Sequence, residues 1–287
     1  MTANESLKIR NMTREELNVA TSWAAKEGWN PGLNDADIFW QTDPQGFIAL
    51  EQDGEMVGSG SIVFYNGKFG FMGFFIVKQE LRGQGLGTKL WFYRRDHLLS
   101  RLDKDAAIGM DGVFDMQPFY TKGGFQFSHR DLRMESTATT NDFDKNVQSI
   151  AISDFAAINA YDQGCFGFER ETFLKSWLNM KDSKALKYQD AEGLKGYGVV
   201  RKCVTGYKIG PLFAESYHAA SELFKALSSY AAGNQIFLDV PEINSEGLRL
   251  AKEYAMKECF GCAKMYFGLA PKLPYEKIFG VTTFELG

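Results

Sequence analysis

The residues best suited to chemistry are the glycines of one short segment, which lies between an apolar run ending at Val77 and an amphipathic helical pattern. The segment consists of Arg82, Gly83, Gln84, Gly85, Leu86, Gly87 and Thr88. Glycines allow positive φ angles and a close approach to a ligand, and the free N–H groups at a helix start point at an anion. The segment predicts a pyrophosphate cradle, and a structural turn is the alternative.

Two common phosphate-binding motifs do not fit this segment. It lacks the Gly-Lys-Ser/Thr ending of an NTPase loop. A dinucleotide-binding fold needs a first strand that opens a parallel βαβ unit, with an acidic residue about 20 residues further on. Here the strand ends an antiparallel meander, and Arg101 and Leu102 occupy that distance. The cradle therefore belongs to another fold.

The elements that must position the cradle are predicted from hydrophobic periodicity and turn chemistry. Three strand patterns come first, at residues 46–52, 55–65 and 68–77. Asp53-Gly54 and Asn66-Gly67 separate them, and both dipeptides favour two-residue hairpin turns. After the segment the pattern predicts a helix, a strand at 106–113, a short helix at 116–122 and a strand at 125–134.

A Ser/Thr/Asn-rich stretch divides the chain into a first domain at 1–134, a linker at 135–146 and a second domain at 147–287. The strand pattern at 209–214 aligns with that at 72–77, and a helix follows each, which indicates a diverged tandem repeat. The second copy lacks four loop residues and every loop glycine, and Glu215 stands where an anion would sit. The second domain is therefore predicted to bind no anionic cofactor and to shape an acceptor entrance or a subunit contact.

Arg82, Gly85 and Gly87 meet the Arg/Gln-x-x-Gly-x-Gly/Ala signature, and the chain therefore resembles the GNAT superfamily of N-acetyltransferases. A second segment, 119–125, resembles the Tyr-x-x-x-Gly-Phe element of that superfamily with one extra glycine. The resemblance covers nearly the whole chain and is closest to a branch with a degenerate second GNAT-like domain. It implies a mixed α/β fold of two tandem domains, each a mostly antiparallel twisted sheet flanked by helices.

The resemblance also implies a role for each matching residue. The backbone of Phe75, Ile76 and Val77 would pair with the pantetheine arm of acetyl-CoA, and the segment from Arg82 to Thr88 would hold its pyrophosphate. Tyr120 would protonate the departing thiolate, with a packing role at a helix start as its alternative. No metal is implied.

A base is needed because an alkyl amine costs roughly 4 kcal/mol to deprotonate at pH 7. Several relatives place a glutamate eleven residues before the motif, but Phe71 occupies that position here. Asp111, at the end of the following strand, is the best remaining carboxylate, although a strand-end aspartate commonly just meets solvent. His129 is a weaker candidate. Trp29, in a loop bounded by Gly and Pro, is the candidate for lining the acceptor site. The alternative is that Trp29 is an aromatic residue of the core.

Composition limits the classes of partner. The chain has 287 residues, 45% of them hydrophobic, and 32 basic against 36 acidic side chains give a net charge of −4. This balance offers no electrostatic reason to bind nucleic acid or an acidic membrane. The first residues show no signal-peptide pattern, and four cysteines suit a reducing compartment, so a cytoplasmic protein is predicted. Cys259 and Cys262 have metal-site spacing but no companion cluster.

These observations together predict an acetyl-CoA-dependent N-acetyltransferase. It would acetylate a primary amine of a small molecule, or a lysine-like group, by direct attack in a ternary complex. An acidic chain mildly favours a cationic acceptor. Two alternatives stay open from the sequence: a catalytically silent acyl-CoA-binding module, and a scaffold whose tandem domains serve homodimerisation.

Overall fold

The computed structural model of the protein describes residues 7–287, which form one mixed sheet flanked by helices. The elements of the first half are β1 (Leu7–Asn11), α1 (Arg14–Lys26), α2 (Asp35–Thr42), β2 (Phe47–Gln52), β3 (Glu55–Tyr65), β4 (Phe69–Val77), α3 (Leu86–Arg101), β5 (Ala107–Gly112), α4 (Gln117–Lys122) and β6 (Gln126–Thr137). Those of the second half are β7 (Val147–Ser149), α5 (Phe155–Phe166), α6 (Glu171–Leu178), β8 (Ser183–Asp190), β9 (Gly193–Lys202), β10 (Tyr207–Ala214), α7 (Tyr217–Tyr230), β11 (Gln235–Pro241), α8 (Ser245–Glu253), β12 (Lys257–Phe267) and β13 (Ile278–Gly280).

Local sequence explains most of the first half. Thr13 and Glu16 form the reciprocal hydrogen bonds of a capping box at the start of α1. The two hairpin turns between β2, β3 and β4 are confirmed, since Asp53, Gly54, Asn66 and Gly67 all have positive φ. Each is a turn in which the chain reverses without a long loop.

The strand order is symmetric about its centre: β1-β2-β3-β4-β5-β12-β6-β11-β10-β9-β8-β7, with β13 pairing beside β10. The fifth strand of each half, β5 or β11, pairs with the sixth strand of the other half, β12 or β6. The two halves thus exchange their last long strands and share one sheet. The prediction of a mixed fold with two mostly antiparallel halves is confirmed.

The predicted linker at 135–146 needs a correction at its start. Residues 135–137 belong to β6, where Glu135, Ser136 and Thr137 pair with the first residues of β11. The linker was predicted from the polar composition of this stretch. The same composition also suits a strand whose neighbouring strand supplies the hydrogen bonds, so composition alone could not distinguish the two. The two predicted domains are consequently joined by strand pairing, not only by a linker.

Buried side chains also connect the halves. The ring of Phe39 on α2 stacks on Trp177 of α6 with centroids 6.3 Å apart. Arg201 on β9 donates from Nε to Asp35 at 2.9 Å, and both side chains are fully buried. Within the described residues no helix is long and apolar enough to cross a membrane.

Candidate active site

One cavity of about 580 Å³ lies where β4 and β5 separate. The two strands pair in parallel only from Phe69 to Phe71, so the later part of β4 has no neighbour on that side. Eleven residues predicted from the sequence line this cavity: Trp29, Phe75, Ile76, Val77, Arg82, Gly83, Gly85, Gly87, Thr88, Asp111 and Tyr120. Gln84 and Leu86 lie outside the lining, the first exposed and the second buried beneath the start of α3.

The glycine segment turns the chain from β4 into α3. Gly83 and Gly85 both have φ of +81°, a conformation that side chains with a Cβ rarely adopt, and no atom lies within 4 Å of the place where a Cβ would stand. Gly85 is the N-cap of α3 and has no side chain to cap it. The first N–H groups of the helix have no intrahelical acceptor, so they are available to an anion.

Arg82 holds the first residues of the glycine segment in place. Its Nε donates to the Val77 carbonyl at 2.9 Å, and its guanidinium forms an ion pair with Glu27 at the end of α1. The side chain is about half exposed. Its geometry therefore holds the loop against the end of β4, while its charge is partly balanced by Glu27.

A β-bulge shapes the open edge of β4. Ser59 pairs with Ile76 and Ser61 with Gly73, so β4 has one more residue than β3 over this stretch. Phe74 takes a φ of +49°, and its carbonyl accepts a hydrogen bond from Ser59 Oγ at 2.9 Å. The bulge bends the strand beside the cavity.

Tyr120 is held at the cavity wall by its ring. The ring stacks on Trp91 of α3 with centroids 4.9 Å apart, and the side chain is 5% exposed. A Cβ at Gly112 would lie 2.3 Å from the ring, so β5 requires glycine there to admit it. Burial raises the pKa of Tyr120, partly opposed by the nearby Arg94, and the hydroxyl stays protonated near neutral pH.

Asp111 belongs to a buried charge cluster across β5, β12 and β6. Lys264 donates from Nζ to Asp111 Oδ2 at 2.7 Å and lies 3.7 Å from Asp131 Oδ2. Burial raises the pKa of Asp111 well above its usual value; Lys264 lowers it and Asp131 raises it further. Asp111 Oδ1 has no hydrogen-bond partner among the described residues.

His129 does not line the cavity. It lies on β6 opposite Lys264, with Nε2 3.3 Å from Asp131 Oδ1 and Nδ1 2.9 Å from Ser128 Oγ. Cys262 is buried on β12, whereas Cys259 is exposed on the same strand. Among residues 7–287 no group of three or more His, Cys, Asp or Glu side chains is arranged to hold a metal ion.

The second half contributes to the same cavity. Phe260, Cys262, Phe284 and Glu285 also line it. Trp29 stands beside them, and its carbonyl accepts a hydrogen bond from Arg133 Nη1 at 2.7 Å. Arg133 in turn forms a bidentate ion pair with Asp239, which anchors the loop to β11.

Several residues in or beside the cavity were not predicted from the sequence. Arg94 could have been found, because it falls on the apolar face of α3 with Leu90, Trp91 and Leu98, where a charged residue is unusual. Glu285 belongs to no motif and gave no signal. Lys264 is separated from Asp111 by 153 residues and is brought beside it only by the strand exchange.

The equivalent opening in the second half is filled by the chain itself. β10 pairs with β11 in parallel from Tyr207 to Ile209 and then separates from it. β13 enters this gap: Ile278 and Gly280 pair with β10, and the next residue, Val281, donates its N–H to the Asp239 carbonyl at 2.9 Å. The edge that stays open in β4 is therefore occupied in β10.

We expect one CoA to bind per chain. β13 blocks the second opening, and the helix start there is already capped, since Ser216 accepts a hydrogen bond from the Ala219 N–H. Titration calorimetry on the whole chain measures the stoichiometry directly. Two equivalents, or binding that survives loss of the first site, would show that the second half still holds a cofactor.

Comparison with known proteins agrees with this architecture. Residues 10–125 match the acetyltransferase (GNAT) family, and residues 158–280 match an acetyltransferase (GNAT) domain. The chain therefore belongs to the GNAT acetyltransferases and carries two GNAT domains in tandem. It is an acyltransferase.

Individual relatives extend along the whole chain. It is 28% identical over 275 residues to the holothin acyltransferase of Pseudoalteromonas sp. (strain SANK 73390), covering 95% of this chain and 92% of that protein. A Pyrococcus horikoshii structure assigned as an acetyltransferase has a TM-score of 0.83 at 22% identity, covering 98% and 96% of the two chains. A tandem GNAT protein of the clavulanic acid biosynthesis pathway has a TM-score of 0.64 at 12% identity, covering 93% and 100%.

Proposed function

We propose that the protein is an acetyl-CoA-dependent N-acetyltransferase that acetylates a primary amine of a small molecule in a ternary complex. One observation carries this proposal. A single cavity joins the glycine segment, the unpaired edge of β4, the buried carboxyl of Asp111 and the ring of Tyr120. The N–H groups of the glycine segment suit a pyrophosphate, and the edge of Phe75, Ile76 and Val77 that faces away from β3 suits the amide groups of a pantetheine arm.

The first proton transfer is assigned to Asp111. The amine attacks the thioester carbonyl carbon, so a C–N bond forms and the C–S bond breaks. Before this attack the ammonium loses one proton to the ionised carboxyl of Asp111, which frees the nitrogen lone pair; the second N–H proton leaves to solvent as the amide forms. The raised pKa of Asp111 makes this carboxyl a stronger base than an exposed aspartate, and Lys264 stabilises its ionised form.

The second proton transfer is assigned to Tyr120. The departing sulfur carries negative charge, and the buried hydroxyl of Tyr120 donates a proton to it. Trp91 holds the ring, and Arg94 is close enough to stabilise the phenolate that remains. Solvent restores the proton after the products leave.

The acceptor is expected to be a cationic amine. Asp111 and Glu285 are the buried acids of the cavity wall, and Trp29, Phe260 and Phe284 provide apolar and aromatic surface beside them. An ammonium group is attracted by carboxylates and by aromatic faces. Polyamines, amino sugars and lysine-like side chains carry this chemistry.

The test is acetyl-CoA with a panel of amines, followed by the release of free thiol. We expect release that depends on one class of cationic amine and a mass increase of one acetyl group on that amine. A protein that binds CoA tightly in calorimetry and releases no thiol with any amine would be an acyl-CoA-binding module instead.

Replacing Tyr120 with phenylalanine keeps the stacked ring and removes only the hydroxyl. We expect kcat to fall about 10- to 1,000-fold while CoA affinity stays within about twofold, because the hydroxyl acts only when the thiolate departs. Steady-state kinetics with calorimetry measures both. Turnover near that of the wild type would make Tyr120 a packing residue and solvent the proton donor.

A further inference from the structure

Arg94 is a buried arginine whose charge no carboxylate among residues 7–287 balances. Three other buried arginines, Arg133, Arg170 and Arg201, each form an ion pair with an aspartate at 2.7–2.9 Å. Arg94 is fully buried and forms no ion pair within the described part of the chain. Burying an unpaired charge costs several kcal/mol, so an anion that binds beside Arg94 would offset that cost.

The contacts of Arg94 leave part of its guanidinium unused. Nη2 donates to the carbonyls of Ser61 and Gly73, each at 2.7 Å. The planar group lies between the backbone at Gly60 and the ring of Phe75, whose centroid is 5.2 Å from Cζ. Nε and Nη1 have no hydrogen-bond acceptor among residues 7–287, and the side chain lines the cavity. Burial lowers the pKa of Arg94 to about 9, which keeps it protonated at neutral pH.

Arg94 lies near the place where the acyl group of a bound acyl-CoA is expected. It lies eight residues after Leu86 on α3, about 12 Å along the helix from the glycine segment. In the proposed function a pantetheine arm runs back along β4 from Val77 to Phe75, so its acyl end points toward Gly73. The carbonyl of Gly73 accepts a hydrogen bond from Arg94 Nη2.

We propose that Arg94 forms a subsite for a carboxylate on the acyl group, so that the protein uses short dicarboxylic acyl-CoAs in preference to neutral acyl-CoAs of equal length. This inference rests on the proposed function for the placement of the CoA arm and changes only the acyl group that the arm carries. We assign the carboxylate to the acyl group because the donor arm ends beside Gly73, whose carbonyl accepts a hydrogen bond from Arg94 Nη2. A guanidinium is the side chain best suited to a buried carboxylate.

Binding is tested with two unreactive CoA thioethers of equal carbon count, S-(3-carboxypropyl)-CoA and S-butyl-CoA. We expect the wild type to bind the carboxylated analogue at least tenfold more tightly, a difference of about 1.4 kcal/mol. Arg94→Met should abolish that preference and leave S-butyl-CoA affinity within about threefold. Arg94→Lys should retain part of it. Arg95→Met is the matched control, since Arg95 lies on the same helix and bonds Asp96 outside the cavity.

A kinetic arm compares succinyl-CoA with butyryl-CoA as donors, and carboxylated with neutral acceptors. A wild type that does not discriminate between the thioethers would overturn the proposal. Equal losses for both analogues in Arg94→Met and Arg94→Lys would make Arg94 a structural residue. If Arg94→Met changed only the preference for carboxylated over neutral acceptors, the subsite would bind the acceptor and not the acyl group. Because the binding arm needs no turnover, it decides this proposal even where the proposed transfer fails.

Discussion

Replacing Gly85 with valine is expected to weaken CoA binding by at least 100-fold. Gly85 has a φ of +81°, is the N-cap of α3 and lines the cavity where the pyrophosphate is expected, and none of the described atoms lies within 4 Å of the place of a Cβ. The branched side chain would therefore block the N–H groups that face the anion and would also resist the positive φ. Calorimetry with CoA measures the loss.

Gly233→Val is the matched control for this change. Gly233 has a φ of +82°, no atom lies within 4 Å of the place of its Cβ, and it is remote from the cavity lining. It therefore imposes similar backbone strain, of about 1–3 kcal/mol, without touching the site. Unchanged CoA affinity in a folded Gly85→Val protein would show that the glycine segment does not bind the pyrophosphate.

Asp111→Asn is expected to lower kcat about 100- to 10,000-fold, because an amide cannot accept the proton of the amine. In the wild type the rate should rise with pH as the Asp111 carboxyl ionises, through a pKa raised by burial. The variant should lose this rise and keep its CoA affinity. A pH profile of kcat shows both effects.

Asp131→Asn provides the control, since it also removes a buried carboxylate near Lys264 but leaves the cavity wall intact. Asp131 raises the pKa of Asp111, so its loss should move the acidic limb of the profile to lower pH without abolishing turnover. An Asp111→Asn protein with the wild-type profile would assign the proton to water or to another group.

The glycine segment shows what local sequence can determine. Positive φ at Gly83 and Gly85, the hairpin turns and the helix after the segment all follow from residues within a few positions of one another. Local backbone preference decides such features before any tertiary contact forms. Local sequence left two roles open for Tyr120, packing and proton donation. The position of its ring depends on contacts with Trp91 and Gly112, which lie far from it along the chain or on another element.

The surroundings of Asp111 show the opposite case. The sequence offered a carboxylate at a strand end, with solvent as its expected neighbour. The structure buries it instead and places Lys264 at 2.7 Å, because β12 of the second half inserts between β5 and β6. No periodic pattern encodes which half supplies a strand, since either partner offers the same backbone hydrogen bonds.

By itself the sequence determined the family motif, the order of the elements and the loss of the glycine loop in the second half. These depend on residue type and spacing over short distances. Only the tertiary structure decided the strand exchange, the filling of the second opening by β13, and the placement of Glu285 and Arg94 at one cavity. Those features depend on which distant surfaces bury each other, and burial is a property of the whole fold.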